Sequence, residues 1–104
     1  MNLQQTLPTL LEKTEAEKLH WEEFGSAAFI APVGSVFVSI ATSSLTYKLS
    51  LHDSAGNTID SVNYSMVAGG EDYQRALTLY AAARNQALGI DKAMAELQKG
   101  LSSL

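Results

Sequence analysis

Apolar residues along this chain fall into three zones that differ in period. In the first, Leu3, Leu7, Leu10 and Leu11 recur at i, i+4, i+7 and i+8, the spacing of one helical stripe. Asn2 or Thr6 offers a cap. Proline is tolerated only in a first turn, so the regular helix starts as late as Pro8, with Thr6 or Leu7 just outside. Glu12, Lys13, Glu15, Glu17 and Lys18 supply the wet face. Near Glu17 the period changes. Leu19 and Trp21 alternate with Lys18, His20 and Glu22, which fits either extended chain or a frayed last turn.

The second zone has period two and predicts a strand meander. Ala27–Ala31 is a short apolar run closed by the turn residues Pro32-Val33-Gly34. Beyond it Val36, Val38 and Ile40 face one way and Ser35 and Ser39 the other, with Phe37 on the polar side. Leu45, Tyr47, Leu49 and Leu51 then oppose Thr46, Lys48, Ser50 and His52, after a turn at Ala41-Thr42-Ser43-Ser44. Asp53-Ser54-Ala55-Gly56-Asn57 reads as a tight hairpin loop, with Gly and Asn available for positive φ. Thr58–Met66 makes the last strand. Short loops between successive strands imply antiparallel neighbours.

The third zone is helical again. Gly69-Gly70 breaks the strand, and Glu71 and Asp72 follow in a first helical turn, where the dipole favours acids. Tyr73, Ala76, Leu77, Tyr80, Ala83 and Ala87 form a stripe. Leu88-Gly89-Ile90-Asp91 reads as a C-cap glycine, an apolar residue and an N-cap Asp. A final helix is predicted with Ile90, Met94, Leu97 and Leu101 turned inward. The expected architecture is therefore a single α+β domain over residues 1–104. It has an N-terminal helix, a three- or four-stranded antiparallel meander and two C-terminal helices, and the helices cover the apolar face of the sheet.

Composition narrows the function classes. Of 104 residues, 46% are hydrophobic and 17% charged, enough for a packed core and too little charge for a disordered chain. The absence of cysteine removes disulfides, thiolate catalysis and cysteine metal sites. Seven basic residues stand against eleven acidic ones, a net charge of -4, and no two basic residues are adjacent. Phosphate neutralisation needs clustered cations, so nucleic acid is not an expected partner. The first fifteen residues carry no basic n-region and no continuous apolar run. The longest largely apolar stretch, Ala27–Ile40, is interrupted and too short to span a bilayer. The expectation is a cytoplasmic protein with no membrane partner.

Candidate chemistry is sparse. His20 and His52 fall in different zones, each on the polar side of its segment, and both are expected to be exposed without a partner motif. No short metal-ligand spacing is present, and Gly69-Gly70-Glu71-Asp72 lacks the spacing of a phosphate loop. No catalytic residue, metal site or cofactor is expected. The remaining lead is aromatic: Phe37 projects toward a face lined by Ser and Thr, and Trp21 and Phe24 flank an acidic patch. Trp21, Phe24 and Phe37 are the candidate interaction surface. The first reading is thus a non-catalytic interaction or regulatory protein, an accessory factor or small inhibitor, that meets a protein partner or forms a homo-oligomer. The alternative is a small-molecule-binding protein, its pocket between subunits or between sheet and helices. The weakest is a hydrolase using His20 or His52.

Glu12-Lys13-Thr14, then Lys18-Leu19-His20-Trp21-Glu22, a hairpin with Asp53 and Gly56, and a helix reading Glu71-Asp72-Tyr73 to Leu79-Tyr80 form a loose pattern over most of the chain. It resembles short bacterial and phage proteins of unassigned role, built as one helix, a meander and closing helices. That resemblance implies the fold and no activity or site.

Overall fold

The computed structural model describes residues 2–104. A 3-10 turn, Gln4–Thr6, runs into α1, Leu7–Glu15. Five strands follow: β1 (Glu22–Glu23), β2 (Ala28–Val33), β3 (Val36–Ser43), β4 (Thr46–His52) and β5 (Thr58–Ser65). The chain closes with α2 (Gly70–Leu88) and α3 (Ile90–Ser102). The strands form one sheet in chain order, with every neighbouring pair antiparallel. The α+β architecture matches the sequence pattern. The strand count is five because the short extended stretch at Glu22–Glu23 pairs with Phe29 and Ile30.

Register assigns the faces. Phe29 pairs with Ile40 and Ile40 with Leu49, while Ala31 pairs with Val38 and Val38 with Leu51. These residues line the side that meets the helices. There Phe29, Ala31, Val38, Ile40, Leu49 and Tyr64 join Leu7, Leu19, Trp21, Ala76, Leu79 and Ala83 in one buried cluster. The small side chains of Ala76 and Ala83 let α2 approach the sheet closely. Its larger Tyr73 and Tyr80 then pack beside them on Tyr47 and Phe29, with ring centroids 5.4–5.7 Å apart.

α1 and α2 run side by side in the same direction. At one end the Gln4 amide donates to the Asp72 carboxylate at 2.8 Å. At the other, the Gln86 amide clips the extended stretch after α1. Its Nε2 donates to the Leu19 carbonyl and its Oε1 accepts from the Trp21 N–H, both at 2.8 Å. Leu19 and Trp21 are therefore extended chain, held on the core side. α1 itself ends at a 6→1 and 5→2 hydrogen-bond pair, Lys18 N–H to Lys13 and Glu17 N–H to Thr14, with Glu17 at φ 60° where a glycine would normally stand.

Three local expectations change. β3 continues through Ser43, and the turn to β4 is Ser44-Leu45, with Ser44 at φ 52°, so Leu45 is exposed at the turn and not part of the apolar face. Gly89, at φ 62° and ψ 38°, both ends α2 and starts α3, so Asp91 is a first-turn residue and not the cap. Met94, Leu97 and Leu101 point away from the core: α3 has no buried residue at all.

The hairpin loop is as read. Gly56 sits at φ 90°, and the Asp53 carboxylate accepts from the N–H groups of Ala55 and Asn57 at 3.0 and 2.9 Å. The Asn57 N–H, with lesser help from its side chain and from Ala55, holds the Asp53 carboxyl below the ordinary aspartate range. A carboxyl whose pKa is lowered on folding stabilises the fold fully above its unfolded pKa and ceases to do so as pH falls through its folded one. Asp53→Asn is therefore expected to lower stability at neutral pH and flatten the acid limb of a stability–pH curve, read by chemical denaturation, with little change at the acid end.

Tyr64 is buried beneath α2, and among the described residues its hydroxyl has no hydrogen-bond partner. Burial, and then the Asp72 charge, push that phenol above its ordinary pKa, so it stays neutral. An unpaired buried hydroxyl is a net cost, so Tyr64→Phe is expected to raise stability by about 1 kcal/mol in urea denaturation. A loss of that size would contradict the unpaired state.

Candidate interaction surface

α3 is made by its own sequence. Gly89 supplies the left-handed elbow that turns the chain out of α2. Asn85 fixes the elbow from α2: its Oδ1 accepts from the Asp91 N–H at 3.0 Å, and its Nδ2 donates to the Asp91 carboxylate at 2.7 Å. Asp91 in the first turn and Lys99 in the last complement the helix dipole. The apolar residues Ile90, Met94, Leu97 and Leu101 then recur at 4-3-4 spacing, the period of a helix that packs along a seam.

Among the described residues, nothing covers that seam. Met94, Leu97 and Leu101 are 58%, 53% and 59% exposed, and Leu88 at the end of α2 is exposed as well. The molecule measures 52 × 33 × 25 Å. A helix of 13 residues is marginal in water without tertiary packing, so this one lacks its main source of stability within one chain. Its charges do not oppose contact: Asp91 and Glu96 balance Lys92 and Lys99, so the net charge of -4 lies wholly outside α3.

A second apolar feature lies at the far end of the core face. The 3-10 turn and α1 stand on one side of it and the ends of β2, β3 and β4 on the other. Between them is an open cleft of about 450 Å³ walled by Leu3, Leu10, Val33, Val36, Val38 and Leu51. Gln5 and Thr9 also line it, and among the described residues no charged side chain does.

The opposite, helix-free face of the sheet carries the polar side chains. His52 is buried, not exposed as its strand-end position suggests. Its Nε2 lies 2.8 Å from Ser39 Oγ and its Nδ1 3.2 Å from Thr58 Oγ1, while Ser50 and Ser61 pair at 3.0 Å. A β-bulge at Leu51/His52 places Thr58 opposite His52. Both ring nitrogens thus meet hydroxyls, whereas an activated serine needs a carboxylate or equivalent group to orient its base. The nearest carboxylate in sequence, Asp53, is engaged in its own hairpin loop. Among the described residues, no group of three or more His, Asp or Glu is placed to hold a metal ion.

The three aromatic candidates are dispersed. Trp21 is 3% exposed, and its indole N–H donates to Thr14 Oγ1 at 3.0 Å, which places it in the core. Phe24 is 48% exposed and sets its ring edge-on against His52 at 5.9 Å. Phe37 pairs with His52 across β3 and β4 and is half-buried on the same outer face. Phe24 and Phe37 therefore flank one spot, and Trp21 does not join them. What sequence reasoning missed is α3, whose periodicity was legible but whose stripe was assigned to the core.

No protein-family model, curated protein or solved structure matches the chain. Fold and surface together define an α+β meander with an unpartnered amphipathic helix. Among the described residues, no helix is long and apolar enough to cross a membrane.

Proposed function

We propose that this is a non-catalytic cytoplasmic interaction protein of the accessory or regulatory kind, which associates with a protein partner, first of all itself, through the apolar edge of α3. One observation carries this: a 13-residue helix whose seam of Met94, Leu97 and Leu101 is more than half exposed along its length. Exposed apolar patches of this kind, on an otherwise well-packed domain, mark contact surfaces. Phe24 and Phe37, on the outer sheet face, supply a second, smaller contact. The acidic net charge, with no cluster of cations, supports a protein and not a nucleic acid as partner. Light scattering over a range of concentrations tests it: a mass above the chain's 11.2 kDa is expected, and a monomer throughout would contradict self-association.

A second reading rests on the cleft beside α1. Its volume of about 450 Å³ suits a small ligand. Its aliphatic walls and uncharged rim would select a neutral aliphatic molecule, with no aromatic side chain for stacking. Thermal stabilisation of several degrees by such a compound, and not by a charged analogue, would favour it.

A further inference from the structure

The cleft beside α1 has a polar end as well as aliphatic walls. We propose that it binds a small aliphatic molecule headed by an uncharged carbonyl, of the ketone or ester class, with the carbonyl oxygen held by the side-chain amides of Asn2 and Gln5. The inference rests on the second reading above, that the cleft is a ligand site, and names the head group that site selects.

The walls supply the affinity. Leu10, Val36 and Leu51 are half-buried and Val33 is 40% exposed, so the cleft keeps aliphatic surface in contact with water. Its volume of about 450 Å³ lies within the range of small-molecule sites. Each methylene moved from water onto such walls is worth about a fourfold gain in affinity.

Two amides set the polar end. The Asn2 N–H donates to Gln5 Oε1 at 2.8 Å, and the Gln5 N–H donates to Asn2 Oδ1 at 3.0 Å. A backbone N–H only donates, so this reciprocal pair fixes which atom of each side-chain amide is the oxygen. Both oxygens are thereby engaged within the turn. Both NH2 groups, with two donors each, are left without a partner among the described residues. Both residues line the cleft. Thr6 lines it too, and its hydroxyl already donates to the Leu3 carbonyl at 2.6 Å. The polar end is therefore richer in donors than in acceptors, and the head group that matches it accepts.

Charge narrows the head further. Among the described residues no charged side chain lines the cleft, and the chain carries a net charge of -4. A carboxylate would leave water with no cation to meet it and would approach against the field of the whole molecule. A carbonyl oxygen accepts the same hydrogen bonds without that cost.

The test separates the head from the walls, with 2-octanone, 1-octanol and octanoate as ligands and titration calorimetry as the readout. The wild type is expected to bind 2-octanone and to bind octanoate at least about tenfold more weakly. From 2-pentanone to 2-octanone, affinity is expected to rise about fourfold per carbon. Asn2→Asp and Gln5→Glu each keep the oxygen that accepts the backbone N–H and replace the NH2 by a second oxygen. Each is expected to weaken 2-octanone about tenfold and to leave 1-octanol nearly unchanged, because a hydroxyl can turn to donate and a ketone cannot. Circular dichroism checks folding, and either variant carries the comparison should the other fail to fold. Val36→Phe, which puts a ring into the cleft, is expected to abolish the binding of both compounds. If both bind the wild type and the Asp and Glu variants equally well, the amides do not hold the head: this inference is overturned while the cleft remains a ligand site. Octanoate binding as tightly as 2-octanone would overturn it in the same way. If neither 2-octanone nor 1-octanol binds the wild type, or if a folded Val36→Phe binds both unchanged, the reading of the cleft as a ligand site falls, and this inference with it.

Discussion

Trp21→Ala is expected to destabilise the protein by about 3–5 kcal/mol, a large share of the total for a domain of this size. The indole is 3% exposed and lies in the buried cluster between the sheet and the two packed helices. Its N–H donates to Thr14 Oγ1, and Thr14 in turn donates to the Leu10 carbonyl at 2.7 Å, so the ring ties the extended chain after α1 back to that helix. Removing it opens a cavity and cuts that link, and the backbone clip from Gln86 does not compensate because it holds only the main chain at Leu19 and Trp21. Trp21→Phe should recover most of the packing and lose the hydrogen bond, for a cost of about 1–2 kcal/mol. Urea denaturation measures both. A loss under 1 kcal/mol for Trp21→Ala would mean that the ring serves a partner and not the core.

The double variant Leu97→Glu/Leu101→Glu is expected to do the reverse: abolish association and leave the fold of the body intact. Both side chains are more than half exposed, and α3 contributes nothing to the buried cluster, so the core loses no contact. Surface substitutions of this kind change stability within about 0.5 kcal/mol. Two buried charges without partners would, in contrast, disrupt any interface built on the α3 edge. Light scattering should report a monomer of 11.2 kDa, with a denaturation midpoint near that of the monomeric wild type at high dilution. Unchanged association would remove α3 as the contact surface. A collapse in stability would show that α3 packs on its own chain.

Where local signals were strong, the fold was readable. The alternation of Tyr47, Leu49 and Leu51 gave the face of β4, the Asp53–Asn57 loop gave its hairpin, and Gly89 gave the end of α2. The end of α1 was blurred because Glu17, not a glycine, takes the left-handed position. β1 was hidden because two glutamates carry no strand preference, and they pair only because Trp21 and Leu19 anchor the chain beside them. The burial of His52 depends on the β-bulge and on Phe24 folding over it, and neither is written in the alternation.

The candidate surface was less legible for a physical reason. Periodicity reports that a helix has an apolar edge, and the 4-3-4 spacing of Ile90, Met94, Leu97 and Leu101 does so clearly. It does not report which surface covers the edge. A core-facing helix and a helix that meets another molecule share one pattern, and only the direction of the elbow at Gly89 separates them. In the same way, Trp21 beside Glu22 and Glu23 looks like an exposed aromatic among acids, while its ring is buried in the core and hydrogen-bonded to Thr14.

Hydrogen exchange of the α3 backbone amides, followed by mass spectrometry at high and low protein concentration, tests most directly whether its apolar edge is covered in solution. Slow exchange across residues 92–102 at high concentration, rising steeply on dilution while α2 stays protected, is the predicted result. Exchange at near-unfolded rates at every concentration would contradict it, because the edge would then have no partner to cover it.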